Sequence, residues 1–226
     1  MITGKQAIAE LRAFGDAEKA SEMHRYHKVD RPYLGVANPI LNDLTRDWRK
    51  TLDADGRVNV ARVLWGTNIF EARLAAAKLL ATARIRPDDT AAWALIRTWV
   101  ADFDSWAIAD HACMAGQKRL LEDPNRIENV ALWTKSDHLW TKRAALVITL
   151  PWTKQNHPKP ADLDIRDRVL GWAADYVSDH SWFIQKAIAW WLRDLSKHDR
   201  DRTTAFLSEH GPKLKPFARK EASKYL

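Results

Sequence analysis

The chain has 226 residues, 46% hydrophobic and 29% charged, a composition ordinary for a globular protein with one substantial core or two small ones. Its net charge of +7 and its twelve tryptophans favour a polyanionic partner, nucleic acid before membrane. The single cysteine, Cys113, excludes an internal disulfide framework and a thiolate zinc cluster and fits a reducing cytoplasm. No apolar run approaches the ~20 residues of a membrane span, so no membrane role is expected.

In chain order, the first residues, M-I-T-G-K-Q-A-I-A-E, lack the apolar core of a secretory signal, which predicts an intracellular protein. Glycine and proline are scarce and mark junctions at Pro39, Gly56, Pro87, Pro124, Pro151, Pro158, Pro160 and Pro212. Between them run segments of helix length with apolar residues three and four apart, which predicts an all-α fold. The stretch T-K-Q-N-H-P-K-P at 153–160 reads as a loop.

Four predicted helices align on an aromatic first residue: F-E-A-R-L-A-A-A from Phe70, W-A-I-A-D-H-A-C from Trp106, W-T-K-R-A-A-L-V from Trp140 and F-I-Q-K-A-I-A-W from Phe183. The anchors recur with a period of roughly 35 to 45 residues, the signature of a helical solenoid with two helices per unit. Offsets of 0, 3, 4 and 7 share one helical face. At offset 4 stand Leu74, Asp110, Ala144 and Ala187, so Asp110 is a carboxylate where the other helices are apolar. At offset 7 stand Ala77, Cys113, Val147 and Trp190. At offset 3 stand Arg73, Ala109, Arg143 and Lys186, a row of three cations on one surface, taken as the concave one.

An unpaired buried carboxylate costs several kcal/mol. Asp110 is therefore either an inter-helix salt bridge, with Arg143 or Lys186 as partner, or a group poised beside a substrate. Trp106 and Trp190 are either core residues or walls of a site. Together, aromatic walls that attract cations, a carboxylate that supports developing positive charge and a basic surround for phosphates suit one chemistry. It is hydrolysis of the N-glycosidic bond of a cationic, alkylated base in DNA, through a sugar cation.

The same residues resemble the AlkD-type DNA alkylation repair glycosylases, built from HEAT-like repeats. The resemblance spans most of the chain. It is carried by Y-H-K-V-D-R-P-Y-L-G-V-A-N-P (26–39), S-W-A-I-A-D (105–110), L-W-T-K-R-A-A-L (139–146), W-F-I-Q-K-A-I-A-W-W-L-R (182–193) and F-A-R-K-E-A-S-K-Y-L (217–226). It implies a single domain over 1–226: a right-handed α-solenoid of antiparallel helix pairs with a concave basic groove. It also implies Trp106 and Trp190 flanking the damaged nucleotide, Asp110 as the catalytic carboxylate that orients water, and Arg143 on a phosphate, with Lys142 as a substitute. Lys186, Arg73, Phe183 and Tyr26 complete the expected DNA contacts.

The implied substrates are N3- and N7-alkylated purines, such as 3-methyladenine and 7-methylguanine, in double-stranded DNA. A cytoplasmic, nucleoid-associated monomer without metal or cofactor is expected. Ala107 departs from the family pattern, which carries an acid after the first tryptophan, and Ile40, Leu41 and Asn42 follow Pro39 where the family is polar and basic. Two rival readings remain: a non-catalytic repeat module that grips DNA structure, and a protein-binding scaffold anchored by tryptophans. The histidine pair of H-R-Y-H at 24–27 lacks carboxylate support for a metal. His111 and Cys113 are two residues apart and point to different faces of a helix. Segment 197–226, with eight Lys or Arg against four Asp or Glu, either tracks phosphates or caps the solenoid.

Overall fold

The computed structural model describes residues 1–226 and is all-helical, with thirteen α-helices, short 3-10 turns and no strand. The all-α expectation holds. The chain gathers into two compact units, Met1–Asp123 and Pro124–Leu226.

The first unit contains α1 (Gly4–Ala13), α2 (Ala17–His27), α3 (Asn38–Thr51), α4 (Ala54–Gly66), α5 (Phe70–Leu80), α6 (Thr90–Trp99) and α7 (Trp106–Glu122). Local chemistry sets the helix starts. Thr3 and Gln6 form a reciprocal capping box on α1, and the Asp16 carboxylate accepts from the N–H groups of Glu18 and Lys19 to open α2. Pro39 sits at the start of α3, where its missing N–H has no helical partner to lose. Gly56, expected at a break, lies instead in the first turn of α4. Its N–H donates to the Asp53 cap at 2.8 Å, so the true boundary is the Leu52–Asp53 pair before it.

Helix α5 is the centre of this unit. Every residue from Phe70 to Leu80 is buried except Lys78, and the helix packs against α3, α4 and α7. Its alanines 72, 75, 76 and 77 let three neighbours approach closely, and a helix apolar on all sides is stable only when covered on all sides. Glu71 is the exception that organises a loop. Its fully buried carboxylate accepts from the N–H groups of Leu34 at 3.0 Å, Gly35 at 2.6 Å and Val36 at 3.3 Å. Segment 28–37, which has no helix of its own, is thereby pinned to α5. Gly35 adopts φ +78°, and a Cβ there would overlap the Asp16 carbonyl oxygen, so this turn requires glycine.

The second unit contains α8 (Ile127–Trp133), α9 (Leu139–Val147), a 3-10 turn at Leu150–Lys154, α10 (Pro160–Tyr176), α11 (Trp182–Leu195), α12 (Arg200–His210) and α13 (Pro216–Ala222). Helix α11 packs against α9, α10, α12, α13 and the 3-10 turn. Its buried Gln185 donates to the carbonyls of Val177 and Asp179 and accepts from Lys215 N–H, joining two connections through one amide. The loop expected over 153–160 is shorter than its composition indicates. Thr153 Oγ1 donates to the Leu150 carbonyl at 2.7 Å and closes the 3-10 turn, and Pro160 starts α10. Buried Arg166 holds what remains, donating to the carbonyls of Trp152 and Gln155 and to Asp199.

Candidate nucleic-acid interface

In the first unit, Trp106 is the first residue of α7 and is 39% exposed. Tyr26, in the last turn of α2, is 70% exposed and meets it edge-on, with ring centroids 6.3 Å apart. Beneath them His27 lies 5.6 Å from Trp106 and 4.4 Å from Phe70, and Phe70 stacks on Tyr33 at 4.9 Å. The result is an exposed aromatic shelf on an aromatic base. Burial lowers the His27 pKa below the ordinary imidazole value, so this base is neutral at pH 7.

Asp110 follows Trp106 by one helical turn and is partly exposed, while Ala109 and Cys113 beside it are buried. The α7 stripe is therefore sealed in its middle and open at its start. His111, next along, bonds through Nδ1 to the Ala107 carbonyl at 2.8 Å. Burial is the main cause of its lowered pKa, with the Ala107 bond opposing.

Arg73 is not on this shelf. Its guanidinium is buried 4.8 Å over the Trp65 ring, and it donates to the Asp102 carbonyl at 3.1 Å. Trp65 in turn stacks on Trp99 at 4.2 Å and donates through Nε1 to the Asp102 carboxylate at 2.9 Å. Arg73 thus ties α5 to the segment after α6 and does not project from the surface as its offset in the repeat alignment predicts. Its pKa is lowered, chiefly by burial and then by Arg31.

In the second unit, Phe183 packs 4.5 Å from Trp140, and the Arg143 guanidinium lies 5.8 Å over that indole with the residue only 4% exposed. Trp182 is 52% exposed, edge-on to Phe183 and stacked on Phe217 at 6.0 Å. Lys186 and Arg193 share Glu221, each at 2.6 Å. Trp190 Nε1 donates to Asp194 at 3.1 Å, which orients the indole from its own helix. Lys142 pairs with Asp179 at 2.6 Å and lies 4.7 Å over the Tyr176 ring, an arrangement that uses up much of its charge.

The structure therefore brings Tyr26 to Trp106, and Phe183 to Trp140 and Arg143. Lys142 and Lys186 are held by carboxylates. His27, Tyr33 and Trp182 were missed by the repeat alignment. Trp182 lies one residue ahead of its aromatic anchor, and the other two belong to a helix end and a loop, where helical spacing carries no signal.

The sequence profile of the DNA alkylation repair enzyme family matches residues 7–226. The chain belongs to that family. No curated protein is similar enough in sequence to match. Among solved structures, the chain is similar to a predicted DNA alkylation repair enzyme from Enterococcus faecalis, with TM-score 0.77, 20% identity, and coverage of 94% of this chain and 96% of that one. It is also similar to AlkD2 from Streptococcus mutans, with TM-score 0.62, 18% identity, and coverage of 92% and 98%. At these identities the likeness is one of fold. Within this DNA alkylation repair family member, α7 presents the indole and the carboxylate, and α11 presents Trp182 and the oriented Trp190.

Proposed function

We propose that this protein is a DNA N-glycosylase that releases cationic N3- and N7-alkylated purines, such as 3-methyladenine and 7-methylguanine, from duplex DNA. The observation that carries the reading is the pair on α7: a half-open indole, Trp106, with the partly exposed Asp110 one turn further on. Membership in the DNA alkylation repair family supports DNA as the partner. The net charge of +7 suits a polyanion.

The chemistry needs little of the protein. An alkylated purine carries a positive charge, so when the C1′–N bond breaks the base leaves neutral with the bonding electrons. The sugar is left as an oxocarbenium ion. Asp110 stabilises that cation and orients water towards C1′, and the proton lost from the water passes to the carboxylate or to solvent. The indole face of Trp106 attracts the same cation. Tyr26 extends the aromatic contacts beside Trp106, whereas Arg143, expected on a phosphate, is only 4% exposed and lies over Trp140. The only reactant besides DNA is water, and a single copy working on the cytoplasmic nucleoid is sufficient.

The test is incubation with methylated duplex DNA and chromatography of the freed bases. Release of 3-methyladenine or 7-methylguanine is the expected result. Asp110→Asn should slow release by about 10²-fold or more while duplex binding is retained. Equal release by both forms removes Asp110 from the chemistry. Binding without release by the unaltered protein points to a module that only grips DNA.

A further inference from the structure

Helix α5 is buried on every side, yet its ninth of eleven positions, after Ala77, is neither alanine nor leucine but Lys78. Helices α3 and α7 both pack on α5, and Lys78 is the one residue of α5 left partly exposed, the habit of a long cation on an apolar surface. There Nζ donates to Asn42 Oδ1 of α3 at 2.8 Å. That acceptor is a neutral amide. Lys142 and Lys186, by contrast, are each held by a carboxylate at 2.6 Å. Lys78 has no acidic partner, and two of its three N–H donors remain available.

The surroundings add positive charge. Arg49 of α3 donates through Nη1 to the Lys78 carbonyl oxygen at 2.8 Å and is likewise paired with no carboxylate. On α7, His111 is acted on by Lys78 and by Asp110 in opposite senses, which puts the ammonium in electrical reach of the helix that carries the proposed catalytic carboxylate. If Lys78 served only to join α3 to α5, a neutral side chain would do so without leaving a half-desolvated charge unneutralised.

We propose that Lys78 is a phosphate-binding residue, which grips one phosphodiester of duplex DNA from the face shared by α3, α5 and α7. The inference deepens the glycosylase reading and rests on its claim that DNA is the partner. It replaces Arg73, whose guanidinium is committed to Trp65 and Asp102, as the cation that α5 offers to a ligand. Burial, then Arg49, lowers the Lys78 pKa, so an arriving phosphate relieves the unfavourable charge. Asn42 and Arg49 approach it from α3, and on α7 it acts on His111.

Binding of an undamaged duplex is measured over a range of salt for the unaltered protein, Lys78→Gln and Lys78→Arg. Loss of one phosphate contact should reduce the steepness of the log–log salt dependence by about 0.9 in Lys78→Gln, and Lys78→Arg should restore it. An unchanged slope in a Lys78→Gln protein with unaltered helicity overturns the proposal. Should that variant fail to fold, the pH profile decides. Affinity of the unaltered protein should fall at a pH below the ordinary lysine range, and Lys78→Arg should remove that fall; matching profiles overturn the proposal. Absence of duplex binding by the unaltered protein sinks the DNA reading as well. Dependence on Lys78 for polyglutamate but not for DNA assigns the surface to acidic proteins and overturns the phosphate contact.

Discussion

Glu71 and Asp110 each place a carboxylate among apolar neighbours of its helix, and their surroundings are opposite. Glu71 is fully buried, with three backbone N–H groups of one loop directed at it. Replacing it by alanine strands those donors away from water, so Glu71→Ala should destabilise the first unit by about 2–4 kcal/mol. Urea unfolding, read as a shift in midpoint, checks this. Asp110 is partly open beside an exposed indole, and its replacement should register in base release more than in stability. Helical spacing singled out Asp110 but passed over Glu71. Glu71 stands at the second position of its helix, where an acid is unremarkable because it suits the helix dipole. Its real partner is a loop thirty-five residues upstream in rough terms, and no pattern within α5 points to it.

The helices α5 and α11 organise their units by the same means, since each is covered by several neighbours and each fastens irregular chain with a buried polar side chain. In α5 the fastener is Glu71, and in α11 it is Gln185. Arg166 of α10 does similar work for the turn after α9, with its guanidinium divided between two carbonyls and Asp199. Removing that cation leaves the carbonyls of Trp152 and Gln155 short of donors in a largely dry site, while Asp199 keeps Arg202 at 3.2 Å. Arg166→Ala should therefore cost about 2–4 kcal/mol, seen as loss of cooperative thermal unfolding or a lower urea midpoint. The exposed pair Arg168–Glu128 offers a contrast, because water and salt screen it and its loss should be nearly silent.

For the chain as a whole, acid should be more damaging than base. The net charge is already +7 at pH 7, and protonation of carboxylates only raises the self-repulsion. His27 and His111 act in the same direction. Burial lowers both pKa values in the folded state, so as pH falls below the ordinary imidazole value the unfolded chain takes up protons that the folded chain refuses. Stability should decline from about pH 6.5 downward. Added salt should recover the part due to net charge but not the part due to histidine, and urea midpoints at pH 7.5 and 5.5 separate the two.

Periodicity of apolar residues was enough to establish helices throughout, because amphipathic spacing is a property of the chain itself. The aromatic anchors at 70, 106, 140 and 183 likewise pointed to corresponding helix starts, and α5, α7 and α11 begin at or next to them. Trp106 and Asp110 were nameable in advance since a turn of helix places them on one face. Which cation α5 shows to solvent was beyond such reasoning. A helix covered on all sides has no polar face to extrapolate from, and only the positions of α3, α4 and α7 bury Arg73 against Trp65 while leaving Lys78 at the surface. Exposure is a relation between elements, and it came into being only when they packed.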